Sequence, residues 1–453
     1  MPRLFARTRV ARASLVLSGL VAPASVLAAG FQLNETSGSG LGNAFAGGAA
    51  AAEDASTVWS NAAGMSRLRS PQVVGALHLV KPSIKFTDEG SSAALGQTLG
   101  GDGGDAGGWN AVPNLYFVMP IDPAWSVGIG VNGPWGLVTD YDAGWIGRFQ
   151  GDKSSIKTYN LNPAVSWKPA SNVALGLGLN LQRIDAEFTN QVNYTGALLA
   201  SAALAGIALN PATVAGLESS VRVKGGDNAW GWNLGVLWDI DASSRVGAQY
   251  RSAIKFHVNG DATFSNPVAP AAPPALSGAV NARLSNTAIT SNVEIPAIAN
   301  VSYFRILDRR WDVMADAQWT GWSSIQSLTF LRSDGSVLQS TPENFRDTWK
   351  FAIGANYRHD ANWMFRGGLA YDNSPVQTAY RTVRLPDADR TWLTGGVQYK
   401  PSQKLAFDFG AGYVWVKKPT IDTDPSTTAA VGRLKGHYSS DVVILSGQAT
   451  YSF

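Results

Sequence analysis

The sequence predicts an all-β protein: a 14-stranded antiparallel transmembrane β-barrel with an N-terminal hatch, or plug, inside its lumen. Three observations carry this. Apolar and polar residues alternate with period two along most of the chain, the period of a strand. Aromatic residues recur at the ends of the apolar faces, as they do at the two surfaces of a membrane. The connections alternate between tight turns and long loops.

The chain opens with a basic stretch holding Arg3, Arg7, Arg9 and Arg12, followed by the apolar run 13–22. That run is too short to cross a bilayer. "SVLA" then places Val26 and Ala28 as a cleavage site requires, so residues 1–28 read as a signal peptide. Without its four arginines the formal charge of +3 falls to −1. The basic balance therefore belongs to the leader and gives no argument for nucleic acid. The chain has no cysteine, which excludes disulfides, thiol nucleophiles and thiolate-held metals.

Residues 29–70 are small, mildly polar and poor in β-branched side chains, unlike barrel wall. A lumen of about fourteen strands is too wide for wall side chains alone to fill. A compact segment folded inward answers that need, and its glycine and alanine let backbone lie close to the wall.

Residues 71–453 read as the barrel. "WGWNLGVLWDI" sets Trp230, Trp232, Leu234, Val236, Trp238 and Ile240 on one face against Gly231, Asn233, Gly235 and Asp239. "WDVMADAQW" (311–319) and "LAFDFGAGYVW" (405–415) repeat the pattern. A soluble β-sandwich also alternates, but it rarely needs so many long strands ending in tryptophan. Strands are expected near 71–87, 108–119, 123–141, 155–168, 171–194, 218–240, 243–263, 283–306, 310–332, 342–359, 361–373, 391–400, 403–418 and 436–453. "PIDP", "KPASN", "DIDASS", "LDRR", "RHDAN" and "KPSQK" are the tight turns, and long loops are expected near 88–107, 142–154, 195–217, 264–282, 333–341, 374–390 and 419–435. An even strand number returns both ends to the periplasmic side. Closure also pairs every backbone group, as a bilayer demands.

Motifs for covalent chemistry are weak. The glycines of 38–48 do not match G-x-G-x-x-G and follow no strand. In "GDKSS" an aspartate separates glycine from lysine, so it is no phosphate loop. "GDGGDAGG" (101–108) occurs once and reads as a loop. His78, His257, His359 and His437 lie on different strands or turns without ligand spacing. No enzyme activity, metal or cofactor is expected.

Four stretches carry a resemblance. Ala29–Met65, "AGFQLNETSGSGLGNAFAGGAAAAEDASTVWSNAAGM", resembles the hatch of the FadL family of outer-membrane transporters. "GIGVNGPWGL" (128–137) resembles that family's kinked third strand. "YDNSPVQTAYRTVRLPDADRTWL" (371–393) resembles its strand–loop–strand signature, and the terminal "YSF" fits as well. The resemblance covers essentially the whole mature chain. It implies uptake of long-chain fatty acids or other hydrophobic molecules by passive, ligand-gated diffusion. Ligand is captured among outer loops, passes to a tighter internal pocket and leaves sideways through the kink. The family's hatch carries Asn-Pro-Ala, whereas this chain has Asn61, Ala62 and Ala63, so the rigid proline is lost.

The residues offer candidates for each part. Gly133, Pro134, Trp135 and Gly136 break the strand ladder, because proline lacks an N–H. Leu198, Leu199, Leu204, Ile207, Leu209, Val268 and Leu276 give the outer loops an apolar groove. Phe31 and Leu33 are placed at the internal pocket. A buried carboxylate needs a cation, and the candidates are Arg148, Arg183, Arg346, Lys350 and Arg366, with Lys350 and Arg366 facing inward by alternation. The expected partners are a hydrophobic small molecule, outer-membrane lipid and lipopolysaccharide, and a monomer is expected. Monoaromatic hydrocarbon uptake by the same route and a general diffusion porin are the alternatives.

Overall fold

The computed structural model describes residues 30–453. The signal-peptide assignment for 1–28 and the residue after it lie outside them.

Twenty strand segments form one antiparallel sheet. They merge into fourteen staves among the described residues, because each interrupted strand resumes against the same neighbour. The staves are β1 (Gln72–Asp88), β2 (Asn110–Pro120), β3 (Trp125–Asn132 and Gly136–Asp140), β4 (Lys153–Ala170) and β5 (Val173–Asn193). Next come β6 (Glu218–Asp239), β7 (Ser244–Arg251 and Ile254–Ser265), β8 (Thr287–Ile295 and Ile298–Ile306) and β9 (Trp311–Thr320 and Ser327–Arg332). The last five are β10 (Val337–Pro342 and Thr348–Arg358), β11 (Trp363–Asp372), β12 (Arg390–Tyr399), β13 (Leu405–Val416, with Thr420–Asp422) and β14 (Lys435–Ser452). β14 closes the barrel on β1, with register running from Gln72↔Ser452 to Asp88↔Gly436. Closure leaves no free edge between first and last strands.

The alternation is the one lipid imposes. On β5, Leu175, Leu177, Leu179 and Leu181 are exposed, while Asn180 and Gln182 on the alternate positions are buried. On β6 the exposed face carries Trp230, Trp232 and Trp238, and Asn233 is buried. Outward apolar and inward polar side chains are what a bilayer-spanning barrel requires.

Three expectations are corrected. The stretch 333–341 is not a long loop. Ser333–Ser336 is a tight turn, with Arg332 N–H donating to the Ser336 carbonyl at 2.8 Å, so the β9–β10 hairpin extends beyond the wall. β8 is not continuous, since Pro296 supplies no N–H to its ladder. The two apolar loops contain helices, Tyr194–Leu204 and Pro274–Arg283. The first is capped by the Asn193 side chain, which accepts from Gly196 N–H.

Residues 30–71 lie inside the barrel as short helical turns, Gly38–Leu41, Gly48–Ala51, Thr57–Ser60 and Ala62–Arg67. They sit on inward-facing glycines of the wall. A Cβ on Gly176 of β5 would lie 2.2 Å from Ala63 N, one on Gly247 of β7 1.9 Å from the Ala49 carbonyl oxygen, and one on Gly368 of β11 2.2 Å from the Asn43 carbonyl carbon. No side chain fits at such a backbone approach. Gly235, Gly354, Gly396 and Gly410 meet the same segment, so the belt runs through β5–β7 and β10–β13.

Charge then fixes the seat. Glu53 pairs with Arg366 of β11 at 2.7 Å, and Arg366 also reaches Asp408 of β13 at 3.1 Å. Arg251 of β7 donates to the Trp59 carbonyl at 2.9 Å and lies 3.5 Å from the Trp59 ring centroid.

Candidate functional site

Above the inserted segment the lumen changes character. An apolar cavity, partly open to solvent, is lined by Phe31, Leu137, Ile156, Ile184, Phe188, Val258, Val293, Ile325, Leu328, Phe330, Phe345 and Leu385, with Ala186. Its polar lining residues are Ser291, Glu343 and Arg384. The Ser291 hydroxyl is already spent on the Thr329 carbonyl at 2.7 Å.

Glu343 and Arg384 stand beyond the membrane-spanning part of the strands, one between the segments of β10 and one in the β11–β12 loop. Arg384 is buried and held in place. It donates to the Lys153 and Thr189 carbonyls, the Ser154 hydroxyl and the Asn190 side chain, at 3.0 to 3.3 Å. Burial lowers its pKa to about 10, so it stays charged at neutral pH. Burial pushes Glu343 up to about 8, against the opposing field of Arg384, so its carboxyl is largely protonated at pH 7.

A wider groove, open to solvent, lies among the outer loops beside the cavity. Its apolar lining includes Leu199, Val221, Val223, Phe264, Leu284 and Leu338. Phe188, Val221, Val223, Ala262, Ile289 and Phe330 form one cluster, which joins groove to cavity through a shared apolar layer. Of the loop residues the sequence points to, Leu199 lines the groove. Leu198 and Leu276 are buried between the two loop helices, and Leu209 packs at their edge. Leu204 and Val268 are 83% exposed, and Ile207 is also exposed.

The third part is the kink in β3. Below it, β3 pairs with β2 from Pro120↔Ser126 to Leu115↔Val131. Beyond Leu115 that seam stops, although β2 stays paired to β1 as far as Asn110. The seam on the other side is kept: Asn132↔Asn160 and Gly136↔Lys157 bracket Thr158, whose hydroxyl accepts from Trp135 N–H at 3.0 Å.

The kink's free backbone groups go to the inserted segment. Leu33 N–H donates to the Pro134 carbonyl and Gly136 N–H to the Phe31 carbonyl, each at 2.8 Å. Residues 31–33 thus take the ladder positions that β2 leaves empty. Trp135 turns inward, 2% exposed, and meets Phe31 and Trp322. The three rings lie edge to face at 5.8, 4.9 and 5.4 Å, and Phe31 carries this cluster to the cavity wall.

Phe31 lines the cavity, but Leu33 faces a polar chamber below it. None of the five cations picked from the sequence lines the apolar cavity. Arg148 is buried in a loop, paired with Glu218 at 2.9 Å and donating to the Thr98, Leu99 and Trp145 carbonyls. Arg183 stands on the outer face beside Asp185 at 2.7 Å, because it shares strand parity with Leu181. Arg346 is exposed and reaches the Ser374 carbonyl. Arg366 holds Glu53. Lys350 is buried facing the polar chamber, near the Phe45 and Trp392 rings.

The Asn61-Ala62-Ala63 stretch sits against β5 and β6 rather than the kink. The Asn61 side chain donates to the Ala49 and Val236 carbonyls and accepts from Ala63 N–H, so it caps and anchors the turn. Sequence reasoning passed over Glu343 and Arg384. The signal was there: an arginine between Val383 and Leu385, and an acid two residues before Phe345.

Residues 19–453 match the family described as outer membrane protein transport protein (OMPP1/FadL/TodX). A long-chain fatty acid transport protein of Escherichia coli O6:H1 is 30% identical over 91% of this chain and 92% of its own length. The crystal structure of a Pseudomonas aeruginosa FadL homologue aligns with a TM-score of 0.84 at 26% identity, covering 94% of this chain and 100% of that one. The Pseudomonas putida toluene transporter TodX shares the fold, with a TM-score of 0.66 at 18% identity over 88% of this chain and 94% of its own.

Proposed function

The chain belongs to the OMPP1/FadL/TodX family of outer membrane transport proteins, and from that premise we propose that it takes up long-chain fatty acids across the outer membrane. Uptake is passive. Ligand enters the loop groove, moves along the shared apolar layer into the cavity and leaves sideways at the β3 kink.

The single observation that carries this reading is the apolar cavity itself, placed between an apolar groove and an interruption of the wall. Each methylene that leaves water for such a cavity gains about 0.8 kcal/mol, so a long alkyl chain supplies its own driving force. The charge of Arg384 offsets the burial of a carboxylate. The removable part of the wall is the pair of rungs that Phe31 and Leu33 make with the kink. Displacing that short segment bares the β2 edge from Asn110 to Asn114.

Fatty acids are favoured over monoaromatic hydrocarbons because an uncharged substrate has no use for a buried arginine. A diffusion porin is disfavoured because the segment 30–71 and the three-ring cluster occupy the lumen.

Uptake of labelled oleate and labelled toluene by cells in which this is the sole transporter of its class tests the reading. Oleate should accumulate well above an empty-vector control. If only toluene does, the substrate class is wrong. If neither does, the transport reading fails.

A further inference from the structure

We propose that Glu343 is a specificity-determining residue of the apolar cavity: its carboxyl group donates a hydrogen bond to the carboxylate of a bound fatty acid. This rests on the fatty-acid reading and adds to it the group that recognises the acid.

The polar atoms that face the cavity are few. They belong to Ser291, Arg384 and Glu343. The Ser291 hydroxyl donates its hydrogen bond to the Thr329 carbonyl. Arg384 gives Nη1 and one Nη2 N–H to four loop acceptors, which fix its place, so it supplies charge and keeps its remaining N–H groups for a ligand. Glu343 is 8% exposed, and among the described residues its carboxyl feels burial and the charge of Arg384 and makes no hydrogen bond. Among the described residues it is the carboxyl of this cavity without a hydrogen-bond partner.

Its setting is built. Asn344 adopts φ of +42°, a left-handed conformation that asparagine tolerates better than most residues. The Glu343 and Asn344 amides both donate to the Gln326 carbonyl, at 2.9 and 3.0 Å. Glu343 and Phe345 both line the cavity.

The neighbouring charges do not compete for Glu343. Asp152 acts on Arg384 from the β3–β4 loop. On its own segment, Arg346 goes to the Ser374 carbonyl and Asp347 accepts from Ser323 N–H. From β9, the side that packs against it offers Gln326, which is neutral.

Two carboxyl groups close together in an apolar place share one proton, because both cannot be charged at low cost. Here Glu343 supplies the proton and the ligand supplies the negative charge, with Arg384 nearby to balance it. No bond but the hydrogen bond is made. Burial holds the Glu343 carboxyl protonated up to about pH 8, so the donor is present at neutral pH and is lost as pH rises through that value. A hydrocarbon gains nothing from it.

Equilibrium binding of labelled oleate and of 1-octadecene to the purified full-length protein in detergent tests this, across a pH series from about 6.5 to about 9.5. Wild type should lose oleate affinity by about tenfold over the upper part of the series, a coupling of one proton per ligand, with 1-octadecene unchanged. Glu343→Gln keeps a donor that cannot ionise. It should bind oleate within about threefold of wild type at neutral pH and lose the pH dependence. Glu343→Leu should weaken oleate by about tenfold and leave 1-octadecene bound. An unchanged pH profile in Glu343→Gln, or a flat one in wild type, overturns the proposal. If wild type binds 1-octadecene and not oleate, the fatty-acid reading fails instead.

Discussion

The upper and lower halves of this lumen solve the same problem in opposite ways. Both lie inside one wall of fourteen strands. In the lower half the wall gives up its side chains: glycines on seven strands let the backbone of residues 38–63 lie against it, and ion pairs lock the fit. In the upper half the wall keeps large side chains, and Phe188, Phe330 and Ile184 line an apolar cavity. The lesson is that a barrel's contents are chosen by which inward positions are glycine. Where they are glycine the chain itself is the occupant, and where they are bulky and apolar the space is left for a ligand.

The largest test of that contrast is Gly176→Val. Its Cβ would meet backbone, which cannot rotate away, and overpacking of this kind costs about 3 kcal/mol or more. The inserted segment should dislodge, and planar-bilayer conductance should rise towards that of a protein lacking residues 30–65. Gly367→Val is the control, since a Cβ there meets nothing within 4 Å. Equal conductance in the two variants contradicts the belt.

Arg366→Met should act next. It leaves Asp408 buried without its cation and Glu53, which is partly exposed, unpaired; breaking a buried pair costs about 3–5 kcal/mol. Protease cleavage within residues 30–70 should increase. Adding Glu53→Gln and Asp408→Asn should restore most of the protection, because no uncompensated charge remains. If the triple variant is as sensitive as the single one, the charges do not hold the segment.

Arg183→Ala should have the smallest effect. It breaks an exposed pair, which contributes about 0.5 kcal/mol or less. Oleate uptake should match wild type, and a clear loss would mean the outer face takes part.

The strands were legible because lipid outside and polar groups inside write themselves into every second residue. The same parity placed Arg366 and Lys350 facing in, but it was not applied to Arg183, which shares the outward face of Leu181 and was wrongly kept as a head-group candidate. Pairing was not legible. Arg366 meets Glu53, 313 residues away in the chain, and no local pattern announces that. The kink was readable from Gly133-Pro134, yet its partner was not. A strand break normally leaves groups to water, and here residues 31–33 take them. The β9–β10 hairpin was missed although Asp334-Gly335 is a turn signal, because the chain beyond the wall has no lipid face to keep its alternation regular. Glu343 was missed for a related reason. Its role depends on having no partner, which only the surrounding structure reveals.

The central claim is that the β3 kink is the way out of the upper cavity. Replacing Gly133-Pro134 by Val-Thr tests it most directly, since it restores the N–H that proline lacks and lets β3 pair with β2. The account predicts a heat-modifiable, folded barrel that binds oleate like wild type but takes it up at about a tenth of the rate or less, a barrier increase of about 1.4 kcal/mol or more. Wild-type uptake by that folded variant would contradict it.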